Sequence, residues 1–492
     1  MTFRKTEATS IAIILFTAVF RTGTPSGFAI SNTGWKKLCE MSETLVKLPG
    51  MAKGKLGLFT EAKKTYMETA LMLQIATNMN PVSNNTVLYD ALATLAAQKA
   101  ATLADQTVGV INKAVQAATL ATEQTGRIAE YIEMLAKASG STGSTGFCLA
   151  NSGGSSNDDT AALASKCIIK DRTYIAHTTD LDTSEFDGSG FKKFSTETNA
   201  KDSTATDKCV LYQNSGTQRA GMLYQHTTPV DHLQGLLKIT ASAGATAAIP
   251  QLSNIAANGV VTGSKTLGEL YTTIASLNNI KAAAYTKTPS SIINELSADA
   301  KAVQEIRNQL ALKTPELEAS ALDKAATELK DKLGQKNDAG ETTVWAALKD
   351  LQVKGSEENS ATDTKLVNLR DLGKLTKVLT YYYTQRRSEL EKAKEALKQK
   401  EAQINTEKSK TATQICNEKT DADTCRKDKN CKYDDKKKEG PKCVLSEEGE
   451  KAAAKEAANQ EGKDDKTNTS TTGSNSFVIK KTPLLLAVLF LA

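Results

Sequence analysis

Leu88 to Ala138 reads LYDALATLAAQKAATLADQTVGVINKAVQAATLATEQTGRIAEYIEMLAKA, and this stretch decides the fold. Leu88, Leu92, Ala96, Ala100, Leu103, Thr107, Val110, Ala114, Ala118, Ala121, Thr125, Ile128, Ile132 and Leu135 recur at threes and fours. That period is the mark of one continuous helix with a single apolar stripe. At 1.5 Å per residue such a helix runs about 75 Å, far beyond an ordinary globular helix. The stripe is rich in Ala and Thr, so a partner helix can approach closely. No proline interrupts the chain between Pro81 and Pro229.

The partner lies just upstream. Phe59, Ala62, Tyr66, Ala70 and Leu73 form a second stripe of the same period, and Asn78 to Asn85 (NMNPVSNN) is a turn signal between the two. Two helices joined by a short loop pack antiparallel. The expected fold class is therefore mainly α, an elongated antiparallel long-helix coiled coil or bundle.

Residues 139–263 change character. Gly, Ser, Thr and Asn dominate, as in GSTGSTG at 140–146 and NSGGSSNDD at 151–159. A segment with so little apolar content needs cross-links, and three cysteines fall within it. We expect a loop-rich head lobe with a few short strands, tied by Cys39 to the start of the helical skeleton. Residues 264–360 return to short helices, with Thr314-Pro315 read as an N-cap followed by Pro at the first helical position. Residues 364–404 read as another long helix with Leu366, Leu369, Leu372, Leu375, Leu379 and Tyr382 inward. After Leu390 it becomes a charged, solvated stem. Tyr381 to Tyr383 cover most of one helix turn, so at least one is expected to be buried.

The ends carry processing signals. Arg4 and Lys5 precede a short apolar run, Ile11 to Phe20, too short for the roughly 20 residues that span a bilayer. A small-residue site at Gly27-Phe28-Ala29 places the mature start near Ile30, so residues 1–29 read as a signal peptide. At the other end Gly473, Ser474, Asn475 and Ser476 are small, and Leu484 to Ala492 is apolar to the last residue. This end reads as a signal exchanged for a GPI lipid within that small-residue cluster, with 476–492 taken as the removed tail. The precursor carries +6; each removed segment takes +2 with it, which leaves +2. That is no electrostatic footprint for nucleic acid.

Eight cysteines behind a secretion signal imply disulfides. They form two groups: Cys39, Cys148, Cys167 and Cys209, then Cys416, Cys425, Cys431 and Cys443. The domains expected are a helical one over 30–404, a small cysteine-framed one over 405–445, and a polar tether over 446–475. Asn84 and Asn468 begin N-glycosylation sequons.

Catalytic chemistry is not signalled. His177, His226 and His232 sit in no HExxH pattern, and the chain has no GxSxG, phosphate-binding Gly loop or GxGxxG. Asp421, Asp423, Asp428 and Asp434 lack the Gly and terminal Glu of a calcium loop. Trp35 and Trp345 read as core anchors at helix starts. We expect no enzyme, no cofactor and no metal.

Together these features resemble trypanosome variant surface glycoproteins over nearly the whole chain. Gly34-Trp35-Lys36-Lys37-Leu38-Cys39 with Ser42-Glu43-Thr44-Leu45 is similar to the family's opening helix, and Leu379-Thr380-Tyr381-Tyr382-Tyr383 to its late core helix. The four-cysteine unit at 416–443 resembles its small C-terminal domain. Asn468-Thr469-Ser470, followed by Asn475-Ser476-Phe477-Val478-Ile479 and the apolar end, resembles its sequon and attachment signal. The resemblance implies A-type pairing, Cys39–Cys167 and Cys148–Cys209, then Cys416–Cys431 and Cys425–Cys443. It implies an anchor on Asn475, a homodimer, a dense coat of like copies on the outer face of the plasma membrane, and evasion of host antibodies by antigenic variation. The alternative on the same scaffold is a GPI-anchored receptor that captures a host ligand, as the trypanosome transferrin receptor does.

Overall fold

The computed structural model describes residues 28–452, apart from 82, 84, 139–145, 165–166, 168–173, 197–198, 203–208, 213–228, 241–245, 256–264, 338–339 and 355–362. Side chains at 210 and 404–412 are also outside the description. The chain divides into two compact units, the first running through Tyr383 and the second beginning at Thr384. The first thus closes ahead of the boundary expected at 404.

The first unit opens with α1 (Asn32–Leu45), capped by Ser31, whose hydroxyl accepts from the Gly34 N–H at 3.2 Å. Helix α2 (Leu48–Met79) follows with Pro49 in its first turn, then α3 (Thr86–Lys137) of 52 residues. α2 and α3 pack antiparallel along their length. Ala62, Ala70 and Ala76 of α2 and Ala91, Ala96 and Ala100 of α3 are all buried, which lets the two backbones lie close.

Burial along α3 comes in two blocks, because two separate cores sit along it. Leu88 to Ala100 pack into one core and Ala114 to Ala136 into the other. Leu103, Thr107 and Val110, expected on the inward stripe, are only half-buried between them.

The second core is the head. It gathers α1, the far end of α3, the short α4 (Asp159–Ala164), and a sheet of β1 (Val230–His232), β2 (Leu237–Thr240) and β3 (Thr246–Ala248). The sheet order is β1-β2-β3, antiparallel throughout, with Ile239 facing Val230 on one side and Ala247 on the other. The β1–β2 connection holds Leu233 and Gln234 at φ 54° and 58°, a left-handed conformation that side chains resist. Helix α3 holds that turn in place: the Gln124 amide donates to the Leu233 carbonyl at 3.0 Å, and the Gln234 amide donates to Glu123 at 2.8 Å.

After the head come α5 (Lys265–Asn278), whose apolar face packs into the head core, and the short α6 (Ala282–Tyr285), which buries no residue of its own. The other core is built by the near half of the α2–α3 pair with α7 (Pro289–Ala298), α8 (Lys301–Lys313), α9 (Ala319–Gly334) and α10 (Thr343–Leu348). β4 (Gln352–Val353) pairs antiparallel with β5 (Thr364–Lys365), and α11 (Leu372–Asn417) follows. Two expectations fail here. No helix begins at Thr314-Pro315. Thr314 ends α8, its hydroxyl donating to the Leu310 carbonyl at 2.8 Å, and Pro315 prevents continuation because it has no N–H to give. The expected arrangement occurs instead at Thr288-Pro289, where Thr288 and Ser291 form a reciprocal capping box for α7. The late helix starts at Leu372, not at 364, because 364–368 are drawn into the strand pair and a 3-10 turn that buries Leu366. Leu375 and Val378 bury the start of α11, while Tyr381 is exposed and Tyr382 and Tyr383 are only half-buried. No member of that tyrosine trio is fully buried. The Tyr382 hydroxyl instead accepts from the Lys354 N–H at 3.1 Å.

In the second unit residues 391–403 of α11 are exposed, as a charged stem should be. Beyond it α12 (Ala422–Lys427) and the hairpin of β6 (Cys431–Tyr433) and β7 (Cys443–Leu445) surround two disulfides. The buried core is the four cysteines, with Tyr433 and Leu445 packed against them. The fold extends past 445. Ser446 donates its N–H to the Asn430 carbonyl at 2.9 Å and accepts from the Gly449 N–H at 3.0 Å, so the first residues expected in the tether belong to this unit.

Candidate functional site: the stapled head and the open face of the long helix

Every cysteine is paired. Cys39 joins Cys167, Cys148 joins Cys209, Cys416 joins Cys431 and Cys425 joins Cys443. The first two bridges converge on the head. Cys39 lies in the middle of α1 on its buried face, so its bridge fastens the helical skeleton to a loop 128 residues away. Trp35, one turn earlier on that face, is 2% exposed and donates its indole N–H to the Ala150 carbonyl at 3.1 Å. Trp345, half-buried in α10, packs against the other core.

The head has a central thread. Ile30 donates its N–H to the Cys148 carbonyl at 2.8 Å, and its carbonyl accepts from the Ala150 N–H at 2.9 Å. On the opposite side Ser31 N–H reaches the Ala200 carbonyl at 2.8 Å and Asp202 N–H reaches the Ala29 carbonyl at 2.9 Å. The segment around Ile30 is thus bridged in parallel to Leu149 and antiparallel to Lys201.

A second tie joins the head to α2. Gly50 and Gly54 leave a bare strip on which residues 175–177 lie. A β-carbon on Gly54 would sit 2.0 Å from the His177 carbonyl oxygen, and one on Gly50 2.4 Å from that of Ile175. Beside that strip Lys55, 1% exposed, places its Nζ 2.5 Å from Asp180 Oδ1 and 2.6 Å from the Ile280 carbonyl. Lys281 takes the other Asp180 oxygen at 2.6 Å. Burial works against the Asp180 charge, but hydrogen bonds from Lys281 and Lys55 outweigh it and hold the carboxyl below its usual range. Nothing in the sequence marked this clamp, whose members are 125 and 101 residues apart.

His177 and His232 serve the structure. His177 Nε2 lies 3.1 Å from the Lys47 carbonyl. The His232 ring leans on Tyr131, and burial lowers its pKa. His226 lies outside the described residues. Of the four aspartates at the second unit, Asp423 stands in the first turn of α12 and the other three serve turns, caps or an ion pair. Asp421 caps α12 by accepting from the Thr424 N–H, Asp428 pairs with Lys419, and Asp434 accepts from the Lys436 N–H. Among the described residues no group of three metal-ligating side chains comes together. Among them also, no helix is long and apolar enough to cross a membrane.

The middle of α3 carries the other notable surface. Val108, Ile111 and Val115 are 61%, 39% and 59% exposed. Their spacing sets them on one face of the helix. Asn84, Asn468 and Asn475 lie outside the described residues.

Comparison with known proteins agrees with this architecture. Residues 10–383 match the family model of the A-type trypanosome variant surface glycoprotein, and residues 432–491 match that of the variant surface glycoprotein ETAT. Variant surface glycoprotein ILTAT 1.24 of Trypanosoma brucei brucei is 25% identical over 418 residues, covering 84% of this chain and 80% of the relative. Variant surface glycoprotein MITAT 1.2 of the same organism is 36% identical over 173 residues, 34% of either chain. A solved structure described as the structure of MITat 1.1 superposes with a TM-score of 0.59 at 17% identity, covering 75% of this chain and 100% of the other, and shares its fold. With a matching model across the helical unit and a second over the cysteine-framed end, the chain belongs to the trypanosome variant surface glycoproteins, cell-surface coat proteins, and within them to the A type.

Proposed function

We propose that this coat protein works as a GPI-anchored pair of copies, packed beside many like pairs into a layer that keeps large molecules off the bilayer. The observation that carries the pairing is the apolar row on α3. An exposed row of Val108, Ile111 and Val115 on the longest helix is unusual for a chain that stays alone. A second copy of the same helix would cover it, in keeping with the symmetric contacts of most homo-oligomers. The loop-rich, disulfide-held head is the surface that antibodies would meet. Polar loops there can change sequence without disturbing the helices beneath. Exchange of one such coat for another would then defeat antibodies raised against the first.

Replacing Val108 and Val115 together by glutamate is expected to give the mass of one copy in sedimentation equilibrium, with helical circular dichroism unchanged. A two-copy mass in the double variant would refute pairing through this face.

The anchor reading is supported by the C-terminal sequence, with small residues at 473–476 and an apolar end. Mass spectrometry of the C-terminal peptide from the mature protein, before and after a phosphatidylinositol-specific phospholipase, tests it. The expected peptide ends at Asn475 and carries a glycolipid mass that the enzyme trims. A peptide running intact through Ala492 would remove the anchor.

A further inference from the structure

The secretion leader reads, from residue types alone, as cut after Ala29. The fold argues against that position. Phe28 and Ala29 are 4% and 0% exposed. The Phe28 ring stacks on Tyr212 with centroids 5.1 Å apart and planes 16° from parallel. Ala29 packs against Phe147 and Ala150, and its carbonyl accepts the Asp202 N–H. A chain beginning at Ile30 would lose all of this. It would also turn the Ile30 amide into an ammonium group inside the head, on a residue that is 0% exposed and hydrogen-bonded to Cys148. A buried cation without a carboxylate partner is strongly disfavoured.

We infer that the leader is cut upstream of Phe28, at the Ser26–Gly27 bond, so that Gly27, Phe28 and Ala29 remain as the start of the mature head. This rests on the reading of residues 1–20 as a secretion leader. The bond is chosen by the small residues that a leader peptidase requires at its first and third positions before the cut. Ser26 and Thr24 supply both. A cut after Thr24 would place Pro25 first in the product, and a cut after Gly23 would place Arg21 at the third position. The step is a hydrolysis. Water adds across the Ser26–Gly27 amide, leaving a carboxylate on Ser26 and an amine on Gly27. That amine belongs to Gly27, and the Ile30 nitrogen stays a neutral amide donor to Cys148.

The test is N-terminal sequencing of the full chain after secretion from a eukaryotic cell that processes leaders. A first residue of Gly27 is the expected result. A first residue of Ile30 overturns the inference and leaves the leader itself standing. A chain that keeps Met1 overturns the leader reading, and the inference falls with it. A second measurement tests the structural reason. A chain whose Phe28 and Ala29 are deleted, with its leader cut forced at the new junction, is expected to melt lower by on the order of 5 °C. An unchanged melting temperature would show that these two residues do not belong to the fold.

Discussion

Replacing Cys39 and Cys167 together by alanine is expected to melt the head at a temperature where the far half of the α2–α3 pair is still helical. The bridge closes a separation of 128 residues. Chain-entropy reasoning gives about 3–5 kcal/mol for a loop of that size, and the figure grows only slowly with length. The head has an apolar core of its own, but its regular backbone pairing is sparse. Its strands are three or four residues long, and its central thread around Ile30 is made of isolated bridges. The core around Leu88 to Ala100, by contrast, contains no cysteine and is built from α2, α3 and the helices α7 to α10. Hydrogen exchange read by mass spectrometry separates the two. Peptides from 147–202 should lose protection in the variant while peptides from 86–100 keep theirs. The matching double variant of Cys148 and Cys209, with a separation of 61, should cost slightly less, by about 0.7 kcal/mol on loop length alone. Uniform loss of protection along the chain would mean that the two cores are one cooperative unit and that the division proposed along α3 is wrong.

That division explains what could be read from the sequence and what could not. The α3 stripe was legible because a helix of 52 residues repeats its period many times, so a few misplaced positions do not hide it. The turn at 78–85 was legible for the same reason: a cluster of Asn with Pro between two long periodic runs has one interpretation. Local signals without such repetition failed. Thr314-Pro315 has the residues of a helix start, but the same pair follows a helix end, and only the helix before it decides which applies. Leu366 and Leu369 continue the leucine spacing of α11, yet 364–365 pair with 352–353, and that contact outweighs periodicity. In the head, strands such as Thr246–Ala248 are too short and too small-chained to show alternation. Disulfide partners cannot be read from spacing, since four cysteines allow three pairings. The clamp at Lys55 depends on three residues from three distant segments, so no window along the sequence contains it.

Changing Asp180 to asparagine should weaken the junction of the head with α2 strongly. Lys55 is 1% exposed and would keep a neutral amide and the Ile280 carbonyl in place of a carboxylate. Breaking a fully buried pair from one side costs about 3–5 kcal/mol. Asp180 is 34% exposed, and solvent there screens part of the interaction, so about 2–3 kcal/mol is the reasonable expectation. Changing Lys281 to methionine is the control. That lysine is 62% exposed, and its loss should cost under about 1 kcal/mol. The pH dependence fixes the cause. The Asp180 carboxyl is held below its usual range in the folded chain. A depressed carboxyl contributes stability that is fully present above its unfolded pKa, about 3.9, and is lost as pH falls through the lower folded value. The gap in melting temperature between the natural chain and the asparagine variant should therefore be constant from pH 7 down to about pH 4 and narrow below it. A gap that persists unchanged to pH 2 would show that asparagine disturbs packing at this position and that the charge of Asp180 contributes nothing. Narrowing on acidification would place the hold of the head on α2 in the ion pair itself, with the bare glycine strip at Gly50 and Gly54 serving to bring residues 175–180 close enough for Asp180 to reach Lys55.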